Sequence, residues 1–143
     1  MAVVQLLALV FTTLALVPAM AHVLELPNKL PMSREEYLTV QRLYRGWNRA
    51  GYIVIAALVT TLLLALFADD RGRGPALLAF CAILGTQIVF WQYTFPVNRI
   101  TQNWTLAPEN WRRLRDRWEI SHAVSAVLNF LAVVSVAAAL LVE

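Results

Sequence analysis

Four stretches of this chain contain no Asp, Glu, Lys or Arg and are long enough to cross a bilayer: residues 1–21, roughly 50–68, 75–95 and roughly 120–142. About 30 Å of hydrocarbon takes about 20 helical residues at a rise of about 1.5 Å each. A chain in lipid has to satisfy its own backbone hydrogen bonds, so stretches of this kind must be helical. The whole composition agrees, with 59% of the 143 residues hydrophobic and 15% charged and a mean hydropathy of +0.60, outside the balance of a soluble domain. The expected fold is all-α: a four-helix transmembrane bundle forming a single integral membrane domain over residues 1–143, with interfacial helices in its two long connections. The partner this implies is the lipid bilayer, and no nucleic-acid partner is expected.

The first apolar run ends in Ala19-Met20-Ala21, a small-x-small pattern of the kind a signal peptidase cuts. No Lys or Arg precedes the run, so it is expected to be a retained helix, bent by Pro18. Cys81, the single cysteine, lies inside the third run. It is expected to be a small buried hydrophobe and leaves the redox compartment undetermined.

The connections are unequal. "ADDRGRGP", residues 68–75, is a short polar turn that makes the second and third helices antiparallel neighbours. Residues 22–49 are longer, and Pro27 and Pro31 are expected to break the first helix there. Ser33 and Glu36 fit a capping box for a new helix, along which Tyr37, Val40, Leu43, Tyr44 and Trp47 form an apolar interfacial stripe. In residues 96–118 a polar loop is expected after Pro96, then a second interfacial helix with Pro108 at its first position. Ten of the twelve basic residues fall in these two connections: Lys29, Arg34, Arg42, Arg45, Arg49, Arg99, Arg112, Arg113, Arg115 and Arg117. The positive-inside rule then places the long connections in the cytoplasm.

Two pairs of ionisable residues border the apolar runs. His22 and Glu25 follow the first, and Glu119 and His122 precede the fourth, each pair separated by three positions. That offset puts both members on one helical face. Both pairs belong to the long-connection end, so all four side chains should reach one depth. Deeper in the bundle, Asn129 continues the His122 stripe, and Gln87, Trp91, Thr94 and Asn98 form a similar stripe on the third helix. Gln87 and Asn129 should reach comparable depth and could pair. The His-Glu cluster admits three readings. It is a satisfied structural network, a catalytic or ligand-binding site, or a mononuclear metal site of imidazoles and carboxylates. The five tryptophans, Trp47, Trp91, Trp104, Trp111 and Trp118, all fall near the same end, as an aromatic belt or the lining of an apolar pocket.

"AHVLELPNKL…REEYLTVQRLYRGW" together with "FPVNRITQNWT…PENWRRLRDRWEISHA" resembles the bacterial branch of the anthrone oxygenase-like family of small four-helix membrane proteins. The resemblance spans nearly the whole chain and rests on Pro27, Asn28, Trp47, Pro96, Asn98, Trp111, Arg115, Trp118 and His122. It implies a multi-pass protein of a bacterial inner membrane and an oxidoreductase or oxygenase acting on a lipophilic phenolic or quinone-like small molecule, without a recognised cofactor. His122, with Glu119, would be catalytic and take a proton from the acidic carbon or phenol. Asn98, Gln102 or Arg115 would stabilise the resulting oxyanion. His22 and Glu25 would complete the pocket wall or hold a metal, with Asn28, Trp47 and Trp91 as further ligand contacts. The alternatives are a non-catalytic accessory subunit, a lipid- or small-molecule-binding module, and a transporter, which would need a homo-oligomer to build a pathway.

Overall fold

A computed structural model of the chain describes residues 1–142. Helix α1 runs from Ala2–Lys29, α2 from Arg34–Gln41, α3 from Ala50–Phe67, α4 from Asp70–Val89, α5 from Phe95–Ile100 and α6 from Trp111–Val142. A π-helical turn, Phe90–Thr94, joins α4 to α5, and no strand occurs among the described residues. Among the described residues, four helical stretches are long and apolar enough to cross a membrane: Ala2–Lys29, Trp47–Phe67, Asp70–Ile100 and Trp111–Val142. Helix α1 packs on α3 and α6, and α4 packs on α3 and α6, which closes an antiparallel four-helix bundle.

Small side chains let the helices approach. Ala8, Leu64, Ala65, Ala76, Ala79, Val136 and Ala139 fill one end of the core, and Ala15, Ala57, Ala82, Ile83 and Ala132 fill its middle. Lipid tails are as apolar as leucine, so close van der Waals contact between helices replaces burial from water as the packing force. Where α4 meets α6, a Cβ on Gly85 would stand 3.3 Å from Leu128 Cδ1. Thr12, Thr60 and Thr61 return their hydroxyls to carbonyls one turn earlier, which satisfies them without help from water. Cys81 departs from expectation, because its side of α4 faces outward and it is exposed.

The prolines terminate less than their spacing predicts. Helix α1 passes through both Pro18 and Pro27 and ends only at Lys29, before Pro31. Around Pro96 the chain is a helix, not a loop: the π turn leads directly into α5. An α-helical residue at position 96 would donate to the Gln92 carbonyl, which proline cannot do. Arg117 Nη2 of α6 donates to that carbonyl instead, at 2.7 Å. Pro108 lies outside α6, in a turn where the Trp111 amide bonds its carbonyl at 3.0 Å. The segment expected to be a separate interfacial helix is thus the first part of one continuous α6.

The capping box at Ser33 is present in full, with Glu36 Oε2 accepting from the Ser33 amide at 2.7 Å. The Ser33 amide holds the Glu36 carboxyl below its usual range. The helix it starts is shorter than expected. It ends at Gln41 and passes into a 3-10 turn, and Gly46 at φ +87° reverses the chain before α3. A left-handed residue of this kind is where glycine belongs. The inward face is therefore Tyr37, Gln41 and Tyr44, and Leu43, expected in the stripe, is 71% exposed.

Residues Gln102, Asn103 and Trp104 have φ of +49°, +54° and +59°. Each costs roughly 1–2 kcal/mol for a residue with a Cβ. Thr101 offsets part of this, since its hydroxyl accepts from the Trp104 amide at 3.1 Å and its carbonyl accepts from Thr105 and Leu106. The turn places Trp104 in a buried cluster with Tyr37, Val97, Trp111, Leu114 and Trp118 that closes the long-connection end of the bundle.

Candidate polar site at the long-connection end

Because α1 continues past Pro27, it delivers three ionisable side chains on one face: His22, Glu25 and Lys29, at offsets of three and then four. Helix α6 brings Trp118, Glu119 and His122 to the same depth. The segment between α1 and α3 adds Tyr37, Tyr44 and Trp47. The two histidines stack, with ring centroids 4.2 Å apart and 27° between planes. Trp118 stands in a T-shaped arrangement with both rings, its ring centroid 4.8 Å from that of His22 and 4.2 Å from that of His122.

Lys29 occupies the centre. Its side chain is 1% exposed, and Nζ lies 3.1 Å from Glu25 Oε2, 3.1 Å from His22 Nδ1 and 3.4 Å from Glu119 Oε1. Three N–H donors thus meet three acceptor groups. Tyr44 adds its ring face, 4.7 Å from Nζ, a favourable place for a cation. The Tyr37 hydroxyl donates to Glu119 Oε1 at 2.9 Å, and the Tyr44 hydroxyl donates to Glu25 Oε2. Burial pushes both phenols well above their usual range, and the carboxylate beside each pushes the same way, so both remain hydrogen-bond donors. With Lys29 donating to His22 Nδ1, the His22 ring proton belongs on Nε2. His122 Nε2 is buried without a hydrogen-bond partner.

The sequence-predicted residues divide into two groups. His22, Glu25, Glu119 and His122 do converge, and Trp47, 40% exposed, stands 5.8 Å from His22 at the outer edge. The others lie elsewhere. Asn98 accepts from Trp118 Nε1 at 2.8 Å and so braces that ring. Arg115 donates to the Leu30 carbonyl and to its neighbour Asp116, and stacks on Trp111. Asn28 and Gln102 are exposed, and Trp91 is 59% exposed. The π turn adds a residue to the helical turn at 90–94, which carries Trp91 outward and leaves Thr94 facing inward to bond Ser121 Oγ at 2.8 Å. Gln87 and Asn129 bond locally: Gln87 Nε2 reaches Thr86 Oγ1 at 3.5 Å and Asn129 Nδ2 the Ser125 carbonyl at 2.9 Å. Three members of the cluster, Lys29, Tyr37 and Tyr44, were not singled out for it. The signal for Lys29 was its spacing from His22 and Glu25.

The donors do not fit a mononuclear metal. Imidazole lone pairs lie in the ring plane, so two stacked rings send them side by side and not toward one centre. Lys29 also occupies His22 Nδ1. No group of three or more His, Cys, Asp or Glu among the described residues is placed to hold a metal ion.

A hollow of about 310 Å³ lies at the surface beside Pro96, Arg99 and Ile100, none of which belongs to the cluster. Comparison of the chain with models of known protein families, with curated proteins and with solved structures gives no match.

Proposed function

We propose that this integral membrane protein carries out acid–base chemistry on a lipophilic phenolic or quinone-like molecule taken from the bilayer, as an oxygenase of the anthrone type. The observation that supports this is the convergence of two histidines and two carboxylates around a buried lysine at one end of the bundle. Ionisable groups at membrane depth are costly, and a purely structural contact could be made by apolar side chains. In this reading His122, whose Nε2 has no partner, takes the proton from the acidic carbon. Lys29, rather than Asn98, Gln102 or Arg115, offsets the charge of the oxyanion that results. The carbanion then reduces dioxygen, so that a CH2 group and O2 become a carbonyl and water. A molecule arriving from the bilayer would meet Trp47 and the half-exposed Glu25 first.

The test is dioxygen uptake by the purified protein with anthrone, against the protein-free rate of autoxidation. Uptake above that rate, with one quinone formed per O2, is the expected result. Saturable quenching of tryptophan fluorescence by anthrone without uptake would replace the enzyme by a binding module. That second reading has its own support, since Lys29 fills the centre of the cluster with a side chain whose donors are already taken.

We also infer that the long connections face the cytoplasm of a bacterial inner membrane. Lys29, buried in the cluster, no longer counts as a loop charge, which leaves nine arginines in the two connections against Arg71 and Arg73 in the short turn. A membrane-impermeant thiol reagent applied to intact cells is expected to label Gly74→Cys, at an exposed position with open space around it, and to spare Asn110→Cys, in a Cys81→Ser background. The opposite pattern would invert the topology.

A further inference from the structure

We propose that the cleft between the Gln41–Arg45 segment and residues 103–105 binds a phosphate group, supplied by an anionic lipid or by free phosphate. This site is separate from the His-Lys-Glu cluster and does not rest on its chemistry. The cleft holds about 120 Å³ and is lined by Gln41, Arg42, Arg45, Asn103 and Trp104 among others. At about 30 Å³ per water molecule this is room for about four waters, which suits a small polar group and not an acyl chain.

Its chemistry points to an acceptor. Trp104 is 4% exposed and Gln41 5% exposed, yet Trp104 Nε1 and Gln41 Nε2 both lack a hydrogen-bond partner. An indole N–H can only donate, and a buried donor left unmade is costly. Gln41 adjoins the Tyr37 hydroxyl, but its amide nitrogen makes no hydrogen bond there. Beside these donors stand Arg42 and Arg45, and neither guanidinium pairs with a carboxylate among the described residues. Two uncompensated guanidinium groups and two buried N–H donors ask for an anion with several oxygens, which a phosphate provides. The left-handed turn at Gln102, Asn103 and Trp104 is what holds the indole in this place, and strain of that kind gathers where a ligand is gripped. The cleft opens at the long-connection end of the spans, where lipid headgroups lie.

The test uses the full chain purified in detergent. Inorganic phosphate and short-chain phosphatidic acid are titrated separately by calorimetry, with short-chain phosphatidylcholine as the zwitterionic control. Saturable binding of both anions supports the site with free phosphate as a sufficient ligand. Binding of phosphatidic acid alone supports it as a headgroup site, and saturable binding of neither overturns it. Trp104→Phe keeps the ring and deletes the N–H, and is expected to weaken binding about tenfold, the loss of one charge-assisted hydrogen bond. The double variant Arg42→Gln/Arg45→Gln is expected to abolish it. Arg34→Gln/Arg49→Gln removes the same charge from outside the cleft and is expected to change binding by less than about twofold, the scale of exposed charges. An equal loss in this control, or full binding by Trp104→Phe, overturns the proposal. Should the Arg42/Arg45 variant fail to fold, the Trp104 variant decides.

Discussion

On the proposed function, replacing His122 by glutamine is expected to lower anthrone turnover by about 10²- to 10⁴-fold, the usual contribution of a positioned general base. The argument starts from hydrogen-bond occupancy. Among the polar atoms of the cluster, His22 Nδ1 is taken by Lys29, Glu119 Oε1 by Tyr37 and Glu25 Oε2 by Tyr44. His122 Nε2 is buried and has none. A group already bound on its basic atom must give up that bond before it can accept a substrate proton, and His122 Nε2 has no such bond to lose. His22→Gln should therefore reduce turnover less than His122→Gln. Glutamine keeps a polar side chain under Trp118 but cannot take up a proton, so the loss should fall on kcat with KM changed little. The measurement is initial dioxygen uptake over a range of anthrone concentrations, with thermal unfolding of each variant as the folding control. Equal losses in the two histidine variants would remove His122 from the role of base.

How much of this could be read from the sequence differs by kind of signal. The four spans follow from uncharged length alone, because the bilayer leaves the backbone no alternative. The shared depth of His22, Glu25, Glu119 and His122 follows from which end of each span they border, and the side chains do meet there. Lys29 was hidden by Pro27. A proline two residues before it reads as the end of a helix, and a lysine after a helix end reads as a loop charge. Yet α1 continues to Lys29, and continuation by one further turn is what turns the side chain inward. Trp91 was misplaced by a similar local device. A constant 3.6-residue period puts it on the Thr94 face, but the π turn shifts the register between them. For Gln87 and Asn129, depth was a poor guide to pairing, since Asn129 gives its amide N–H to its own helix backbone and its buried Oδ1 has no hydrogen-bond partner. The tryptophans separate the same way: Trp104, Trp111 and Trp118 are packed inside, whereas Trp47 and Trp91 are exposed as a belt would have them. Composition and position were shared by all five, and only tertiary packing distinguishes them.

Changing Lys29 to methionine, which keeps most of the unbranched apolar stem and removes the charge, is expected to destabilise the protein by about 3–5 kcal/mol, the cost of breaking a buried ion pair on one side. The size of the effect depends on what is left behind. Glu119 has a side-chain exposure of 1%, and without Lys29 its one remaining hydrogen bond is from Tyr37. Glu25 has a side-chain exposure of 42%, so water can replace its share of the pair and its contribution is small. An ordinary hydrogen bond between membrane helices is worth about 0.6 kcal/mol on average, which is why a loss several times larger would identify an uncompensated charge and not a missing bond. The partner variant sharpens this. Glu119→Gln removes the stranded charge and keeps an acceptor for Tyr37, so Lys29→Met combined with Glu119→Gln should be destabilised by clearly less than the sum of the two single changes. Unfolding in detergent with increasing dodecyl sulfate, followed by the helical circular dichroism signal, gives all four values of the cycle. Additive losses would mean that Lys29 and Glu119 do not interact, and the cluster would lose its centre.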